Sequence, residues 1–204
     1  MATTALILYA VCLVLVFGIR ILIQVRRTGS TGFVGLHGRP GSVEWIAGVG
    51  FAVAVTVGAV APVLALLDLV EPIAALDTTP VHVVGLILSV AGIGAIFYAQ
   101  MAMGSSWRIG VDPAEHTQLV TSGPFALVRN PIYAAMLPTA LGLALLVPSW
   151  VALVGLAGLA VGLELQVRVV EEPYLRQVHG DAFATYAARV GRFVPGVGRL
   201  SRAG

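Results

Sequence analysis

The chain has 204 residues, of which 58% are hydrophobic and only 11% are charged. An average soluble domain carries roughly 25% charged residues, so this composition excludes an ordinary soluble protein. It also excludes disorder, which requires low hydrophobicity. The twelve basic residues are all arginine, and a net charge of +2 is too small for a nucleic-acid partner. The single cysteine excludes an intrachain disulfide framework and a cysteine-rich metal site.

The apolar stretches predict membrane-spanning helices, since one crossing needs about 20 apolar residues. Three stretches lie at about residues 5–25, 45–69 and 81–103, and Arg20 in the first is expected to extend to the headgroups. Residues 132–170 would form roughly 58 Å of helix, enough for two crossings with a turn at Pro148 and Ser149. We therefore predict an all-α integral-membrane bundle of about five transmembrane helices with an amphipathic helix near the C-terminus.

This bundle is predicted to be a single membrane domain, residues 1–204, whose orientation follows from the arginines. Residues 1–103 supply three spans, and residues 104–204 form a second half with a helical hairpin and a polar C-terminal segment. The arginines surround the first and third loops and follow the last span, whereas the second loop carries Asp68, Glu71 and Asp77 and no arginine. The positive-inside rule then places the N-terminus outside and the C-terminus in the cytoplasm. An all-arginine composition rich in Ala, Gly and Val indicates a bacterial inner membrane.

Two predicted cytoplasmic segments, residues 104–131 and 164–195, are less apolar than the rest of the chain. Ionisable residues near membrane depth are costly, so each is a functional hypothesis. Glu164, Arg168, Glu171 and Glu172 have the spacing of one helical stripe, in which Arg168 can pair with Glu164 or Glu172. Glu164 lies within the predicted bilayer and is expected to face the bundle interior. A salt-bridged helix end explains the same spacing, so both interpretations stay open.

The start of the fourth span is a second candidate site. Asn130 is placed to cap this helix and Pro131 to occupy its first position. Free N–H groups at such a helix start suit an anionic group, for example a carboxylate. Other classes of site are not favoured, because Gly48-Val49-Gly50 and Gly92-Ile93-Gly94 lie inside apolar spans and not after strands, which excludes a dinucleotide-binding fold. No metal site is predicted, since ligand spacing is absent among the histidines, which are His37, His82, His116 and His179.

Glycines in the last span predict close packing between helices. Gly155, Gly158 and Gly162 lie on one helix face, and the last two have the small-xxx-small spacing. Helix contact is therefore the preferred explanation over a catalytic role.

Two separated strings in the second half resemble a known family. Residues 119–133 have the sequence LVTSGPFALVRNPIY, and residues 168–196 have the sequence RVVEEPYLRQVHGDAFATYAARVGRFVPG. With a helical hairpin between them, they resemble the isoprenylcysteine carboxyl methyltransferase family. That family belongs to a larger group of integral-membrane methyltransferases that includes phospholipid N-methyltransferases. The resemblance covers about half of the chain, and the strings agree with the family in order and spacing.

The resemblance implies S-adenosylmethionine as the methyl donor, bound on the cytoplasmic side and released as S-adenosylhomocysteine. It implies that Arg168 and Glu172 form the charged pair at the methyl-transfer site, and we add Glu164 as a third catalytic candidate. This chain has Asn130 where the family often has His, and Phe125 where Tyr is common. The cofactor contacts carried over from the family are Gly123, Pro124, Phe125, Leu127, Val128, Asn130, Pro131, Tyr133 and Glu171, with Glu172 as the alternative to Glu171.

The expected function is methylation of a lipophilic acceptor, with an isoprenoid-type carboxylate as the leading class. The acceptor would enter from the bilayer lipids between helices, past Trp107, Arg108 and Asp112, although Trp107 could equally be an interfacial anchor. A carboxylate acceptor needs no general base, whereas a phenol or an amine would need one of the glutamates. An NADPH-dependent membrane reductase of sterols or polyprenoids and a non-enzymatic membrane protein are the alternatives. The acceptor, O- versus N-methylation and the oligomeric state stay open.

Overall fold

The computed structural model describes residues 1–35, 38–108, 110 and 118–201. Its structure in these residues is helical, with no strand and one isolated bridge between Val128 and Gly191, which confirms the all-α prediction. The helices are α1 (Ala2–Leu13), α2 (Arg20–Thr28), α3 (Val43–Leu66), α4 (Thr79–Ala102), α5 (Pro131–Leu146), α6 (Trp150–Leu165) and α7 (Glu172–Arg189). A π-helical segment, Val14–Ile19, joins α1 to α2, and another, Gln166–Glu171, joins α6 to α7.

The helices match the predicted spans. Within the described residues, four helical stretches are long and apolar enough to cross a membrane: Ala2–Thr28, Val43–Leu66, Thr79–Ala102 and Trp150–Arg189. The shorter α5 has 16 residues, or about 24 Å of helix, and it forms the predicted hairpin with α6 around Pro148. The structure therefore confirms a membrane bundle of four to five spans.

Local signals in the sequence fix the starts of these helices. The hydroxyl oxygens of Ser42 and Ser149 accept hydrogen bonds from the N–H groups of Trp45 and Ala152, which caps α3 and α6. Near the C-terminus, Gly180 interrupts the helical conformation of α7 with a φ of 48°, a value that glycine adopts readily. Beyond this bend, α7 buries one face against the loop before α5 and exposes the opposite face, as expected for an amphipathic helix.

Small residues let the helix backbones approach closely. A Cβ atom added to Gly142 of α5 would lie 2.6 Å from the carbonyl oxygen of Gly85 in α4. On the other side of the bundle, a Cβ added to Gly162 would lie 3.4 Å from the Cα of Phe51, so α6 packs directly on α3. In lipid the hydrophobic effect does not drive helices together, so close van der Waals contacts of this kind stabilise the bundle. They also support the packing explanation of the glycines in the last span.

The prediction that Arg20 extends to the headgroups is wrong. The side chain of Arg20 is fully buried, and its guanidinium donates hydrogen bonds to Oε1 of Gln24 at 3.0 Å and to the carbonyl oxygen of Gly104 at 2.6 Å. The ring of Trp107 lies 4.4 Å from the guanidinium carbon. A carbonyl oxygen just after α4 attracts a cation, because the C-terminal end of a helix is partially negative. Arg20 therefore links α2 to the residues just after α4 by a hydrogen bond and does not reach the lipid headgroups.

We predict that Gly142→Ala lowers the thermal stability of the detergent-solubilised protein, because the new methyl group would meet the backbone of α4. Overpacking of this kind costs about 1–3 kcal/mol. Gly94→Ala is the matched control, since a Cβ at Gly94 of α4 has no atom within 4 Å. Equal melting temperatures for the two variants would contradict the close approach of α4 and α5.

Candidate active site

The described polar side chains concentrate at the end of the bundle where α4 and α6 finish and α5 begins, which we call the arginine-rich end. At its centre lies the buried carboxylate of Glu172, the first residue of α7. Oε1 of Glu172 accepts a hydrogen bond from Nη2 of Arg129 at 2.6 Å and from Nε of Arg192 at 2.9 Å. Oε2 accepts from Nη2 of Arg192 at 2.9 Å. Arg192 therefore binds the carboxylate in the bidentate geometry that gives strong ion pairs.

This ion pair joins three distant parts of the chain. Arg129 lies in the loop before α5, Glu172 begins α7, and Arg192 lies in the tail after α7. The hydrogen bond to Glu172 raises the pKa of Arg192 above its ordinary value. Both arginines are almost completely buried, so the carboxylate supplies the charge compensation that burial of a cation requires.

Arg129 also binds the end of α7 and the tail. Its Nη1 donates to the carbonyl oxygens of Ala187, at 3.1 Å, and of Val190, and its Nη2 donates to the carbonyl oxygen of Gly198 at 3.0 Å. Carbonyl groups at a helix C-terminus have no partner within the helix. Arg129 satisfies them and so closes α7 onto the loop before α5.

The loop before α5 and the tail also pair through their backbones. The N–H of Arg129 donates to the carbonyl oxygen of Gly191 at 2.8 Å, and the N–H of Asn130 donates to the carbonyl oxygen of Arg192 at 3.1 Å. One turn earlier, the hydroxyl of Tyr186 donates to the carbonyl oxygen of Phe125 at 2.6 Å. The predicted cofactor segment is thus bound to α7 at Phe125 and to the tail at Arg129 and Asn130.

Asn130 occupies the N-cap position of α5, and Pro131 begins the helix, as the sequence predicts. The side chain of Asn130 does not cap the helix, because its Nδ2 donates to the carbonyl oxygen of Arg192 at 3.3 Å. The N–H groups in the first turn of a helix point out of its end. The contact between Asn130 and Arg192 therefore fixes the start of α5. The partially positive N-terminus of α5 points toward the arginine-rich end.

Tyr133 and Glu171 meet beside the start of α5. The hydroxyl of Tyr133 donates a hydrogen bond to Oε1 of Glu171, the last residue of the second π-helical segment. Gly123 begins the short 3₁₀ turn Gly123–Ala126 with a φ of 59°, and a Cβ placed there would meet only Ala102, at 4.0 Å. The site end of α5 thus combines a carboxylate, a phenol hydroxyl, an open glycine and a helix N-terminus.

The comparison with protein-family models finds a match to the phospholipid methyltransferase model over residues 80–182. The chain belongs to the phospholipid methyltransferase family. This match confirms the resemblance to integral-membrane methyltransferases, the group that includes the isoprenylcysteine carboxyl methyltransferase-like proteins. No curated protein and no solved structure matches the chain.

The region shared with the phospholipid methyltransferase family begins in α4 and ends in α7. It includes Arg129, Tyr133, Glu171 and Glu172, so most of the polar cluster at the arginine-rich end belongs to the family segment. Arg192 lies beyond the matched region. Arg192 nevertheless donates hydrogen bonds to both carboxylate oxygens of Glu172.

The structure changes the pairing within the predicted charged stripe. Nε of Arg168 donates to Oε2 of Glu164 at 2.7 Å. The side chain of Glu164 is half-exposed, and its Oε2 also lies 3.8 Å from Nη1 of the buried Arg192, so Glu164 borders the ion-pair network of Glu172. Within the described residues, Glu172 forms its ion pairs with Arg129 and Arg192, and none with Arg168. The cause is the π-helical segment Gln166–Glu171, whose wider turns rotate Glu172 away from the face that carries Arg168.

The predicted acceptor residues Trp107 and Arg108 follow the end of α4. Trp107 is only 2% exposed beneath Arg20, so it is not an exposed interfacial anchor. Arg108 is half-buried. Asp112, His37, His116 and Arg202 lie outside the described residues. In the part of the chain that the structure describes, no group of His, Cys, Asp and Glu side chains could hold a metal ion.

Sequence reasoning missed Arg129 and Arg192 as site residues. The signal was present, because both arginines lie inside the two strings that carry the family resemblance. Their spacing does not indicate that they bind the same carboxylate, because the two arginines are far apart in the sequence.

We predict that Glu172→Gln destabilises the protein strongly, because it leaves two buried arginines without their counter-charge. Breaking a buried ion pair by removing one partner costs about 3–5 kcal/mol. Glu71→Gln is the control, since Glu71 is exposed between α3 and α4 and surface substitutions change stability by at most about 0.5 kcal/mol. Thermal unfolding in detergent measures both, and a Glu172→Gln variant as stable as Glu71→Gln would show that the ion pairs of Glu172 do not hold the tail.

Proposed function

We propose that this membrane methyltransferase uses S-adenosylmethionine to methylate the carboxylate of a lipophilic, isoprenoid-type acceptor. We also propose that the arginine-rich end faces the cytoplasm of a bacterial cell, because the arginines avoid the other end and the donor is made in the cytosol. The observation that carries the proposal is the family membership of residues 80–182. The meeting of Tyr133, Asn130 and Glu171 within that segment supports it.

The residues at the arginine-rich end fit such a donor. The N-terminus of α5 suits the carboxylate of the methionine moiety, and the carboxylate of Glu171 suits an amino or hydroxyl group. Gly123, Pro124 and the buried Phe125 shape an open, mainly apolar turn suited to a flat ring. The remaining proposed contacts lie on the same turn and helix start, and they are Leu127, Val128, Pro131 and Tyr133.

When bound, S-adenosylmethionine would supply an electrophilic methyl group. A lone pair on the acceptor carboxylate would form the new O–C bond as the S–C bond breaks, and S-adenosylhomocysteine would be the other product. The protein's own task is alignment, which supplies up to about 7–11 kcal/mol when two reactants are held in line. Glu172 does this indirectly, as a positioning residue that fixes Arg129 and thereby the turn at residues 123–126. A carboxylate acceptor has no proton to lose, so no general base is needed.

Arg168 is the proposed residue that receives the acceptor carboxylate. Its guanidinium is exposed and donates to Glu164, whose carboxylate also lies near the buried Arg192. An acceptor carboxylate in the place of Glu164 would keep an anion beside both arginines. Glu164 would then hold Arg168 in place between turnovers, and Trp107 and Arg108 would border the path of the acceptor.

The first test is calorimetric binding of S-adenosylhomocysteine to the detergent-purified protein, with NADPH as the parallel ligand. Micromolar binding of S-adenosylhomocysteine alone is expected. Binding of NADPH alone would move the protein to the reductases. Binding of neither ligand by folded protein would make the polar cluster a structural ion-pair network.

We predict that Asn130→Ala weakens binding of S-adenosylhomocysteine by roughly tenfold, about the effect of one lost hydrogen bond. Asn130→His is the control and should retain binding, because the ring nitrogen can donate to the carbonyl of Arg192 as the amide does. Calorimetry gives the affinity, and the melting temperature reports folding. Unchanged affinity in Asn130→Ala would limit Asn130 to a contact with the tail.

We further predict that Arg168→Ala loses most methyl transfer to a carboxylate acceptor while its melting temperature and its affinity for S-adenosylhomocysteine stay close to those of the wild type. The reason is that the Arg168–Glu164 pair is exposed and contributes little to stability. Arg176→Ala, at an exposed arginine of α7, is the control. Wild-type transfer by Arg168→Ala would remove Arg168 from the reaction.

A further inference from the structure

Large exposed apolar side chains lie outside the spans, on the loop before α5 and on the tail after α7. Leu127 in the loop is 65% exposed, and Val194 and Val197 in the tail are 55% and 62% exposed. The two segments are paired, since Val128 and Gly191 form a bridge. Apolar side chains on the spans are covered by hydrocarbon, whereas an exposed apolar patch outside the spans marks an interaction surface.

The two valines lie in a compact turn of the tail, residues 194–197, which we call the valine tip. The N–H of Val197 donates to the carbonyl oxygen of Val194 at 3.0 Å, and the N–H of Arg192 donates to the carbonyl oxygen of Val197 at 2.8 Å. A Cβ added to Gly191 would lie 2.7 Å from the carbonyl oxygen of Val197, so the turn folds closely over this glycine. The valine tip is therefore a compact projection of the tail.

The length of α5 places the valine tip near the surface of the bilayer. This helix has 16 residues, or about 24 Å, which is shorter than the hydrocarbon core of about 30 Å. The residues just before Pro131 therefore lie at the boundary between hydrocarbon and headgroups. The tail is bound at this level, because the N–H of Arg129 donates to the carbonyl oxygen of Gly191 at 2.8 Å. The valine tip begins three residues after Gly191 and so lies within reach of the headgroups.

Two exposed arginines flank the valine tip. Arg189 ends α7 and Arg199 follows the tip, and neither forms an ion pair within the part of the chain that the structure describes. Nη2 of Arg199 would lie 3.5 Å from a Cβ at Gly196, so its guanidinium reaches the tip. The sequence has no Asp or Glu in residues 116–131 or 182–204. An apolar tip beside unpaired cations complements the acyl chains and the phosphate of an anionic phospholipid.

We propose that the valine tip docks on the bilayer surface, with its valines and Leu127 among the headgroups and with Arg189 and Arg199 bound to the phosphate of an anionic phospholipid. This interaction needs only the membrane bundle and does not depend on the proposed donor or acceptor. It bears on the candidate active site, because Arg192, just before the tip, forms an ion pair with Glu172. Lipid bound at the tip therefore supports the ion pairs that hold the start of α5.

The first test measures the depth of the valine tip with nitroxide labels in nanodiscs that contain phosphatidylglycerol. Labels are attached to Val194→Cys and to Val197→Cys in a Cys12→Ala background. Collision of each label with oxygen, which dissolves in lipid, is compared with its collision with a water-soluble nickel chelate. Val154→Cys on α6 is the lipid reference, and Asp181→Cys on α7 is the water reference, since both side chains are exposed.

Both tip labels are expected to collide with oxygen more often than with the chelate, as the label at residue 154 does. Collision with the chelate as frequent as that of the label at residue 181 would place the tip in water and overturn the proposal. Protection of the tip labels from both reagents would show that protein, such as a second copy of the chain, covers the tip, and it would also overturn the proposal.

The second test measures binding of phosphatidylglycerol to the detergent-purified protein by native mass spectrometry, with phosphatidylcholine as the neutral lipid. An arginine beside an anionic lipid surface strengthens binding by roughly fivefold. The joint substitution of Arg189→Gln and Arg199→Gln is therefore expected to weaken binding of phosphatidylglycerol by about thirtyfold and to leave binding of phosphatidylcholine unchanged.

The matched control removes the same charge from the same end of the bundle, by Arg26→Gln together with Arg27→Gln on α2, where both arginines are exposed. A much smaller loss of phosphatidylglycerol binding is expected. Equal losses from the two pairs of substitutions would mean that overall charge attracts the lipid, and equal binding of the two lipids by the wild type would exclude recognition of an anionic lipid. Either result would overturn the proposal.

The label measurements keep every arginine, so they decide the question if a variant without Arg189 and Arg199 does not fold. Neither test involves the methyl donor. Failure of S-adenosylhomocysteine binding would therefore be a separate result that concerns the proposed function alone.

Discussion

The architecture of the arginine-rich end depends on one buried carboxylate. Glu172 binds Arg129 from the loop before α5 and Arg192 from the tail, so two ion pairs on one carboxylate join three segments that are remote in the sequence. Burying three charges is tolerable only when each finds partners of good geometry. Arg129 meets this condition through backbone carbonyls at the end of α7, and Arg192 through its bidentate contact. The arrangement fixes the start of α5 and the turn before it, which are the segments proposed to bind the donor.

The spans themselves are held by a different kind of contact. Gly85 and Gly142 let α4 and α5 touch at the backbone, and Gly162 does the same for α6 against α3. Tyr9 ties α1 to α3 through the carbonyl of Val55. Most of the described charged side chains lie at the arginine-rich end of the bundle, and Asp68, Glu71 and Asp77 lie at the other.

Helical irregularities decide which side chains meet at the site. The π-helical segment Gln166–Glu171 turns Glu172 inward and leaves Arg168 exposed, whereas regular helical spacing predicts that they share a stripe. The π-helical segment Val14–Ile19 precedes Arg20, whose guanidinium is buried against Trp107 and the end of α4. The sequence alone did not anticipate either segment, because the preference for a π turn arises from packing with neighbouring helices.

Sequence patterns were enough to predict the all-α membrane bundle, the hairpin turn at Pro148, the N-cap position of Asn130 and the family. These follow from hydropathy, from local start signals and from two ordered strings, all of which act over short distances along the chain. The folded structure was needed to show that Arg129 and Arg192 bind Glu172, that Glu164 is half-exposed and that Arg20 is buried. Ion pairing and burial depend on which distant segments meet in space, and a pattern with a period of a few residues carries no information about that.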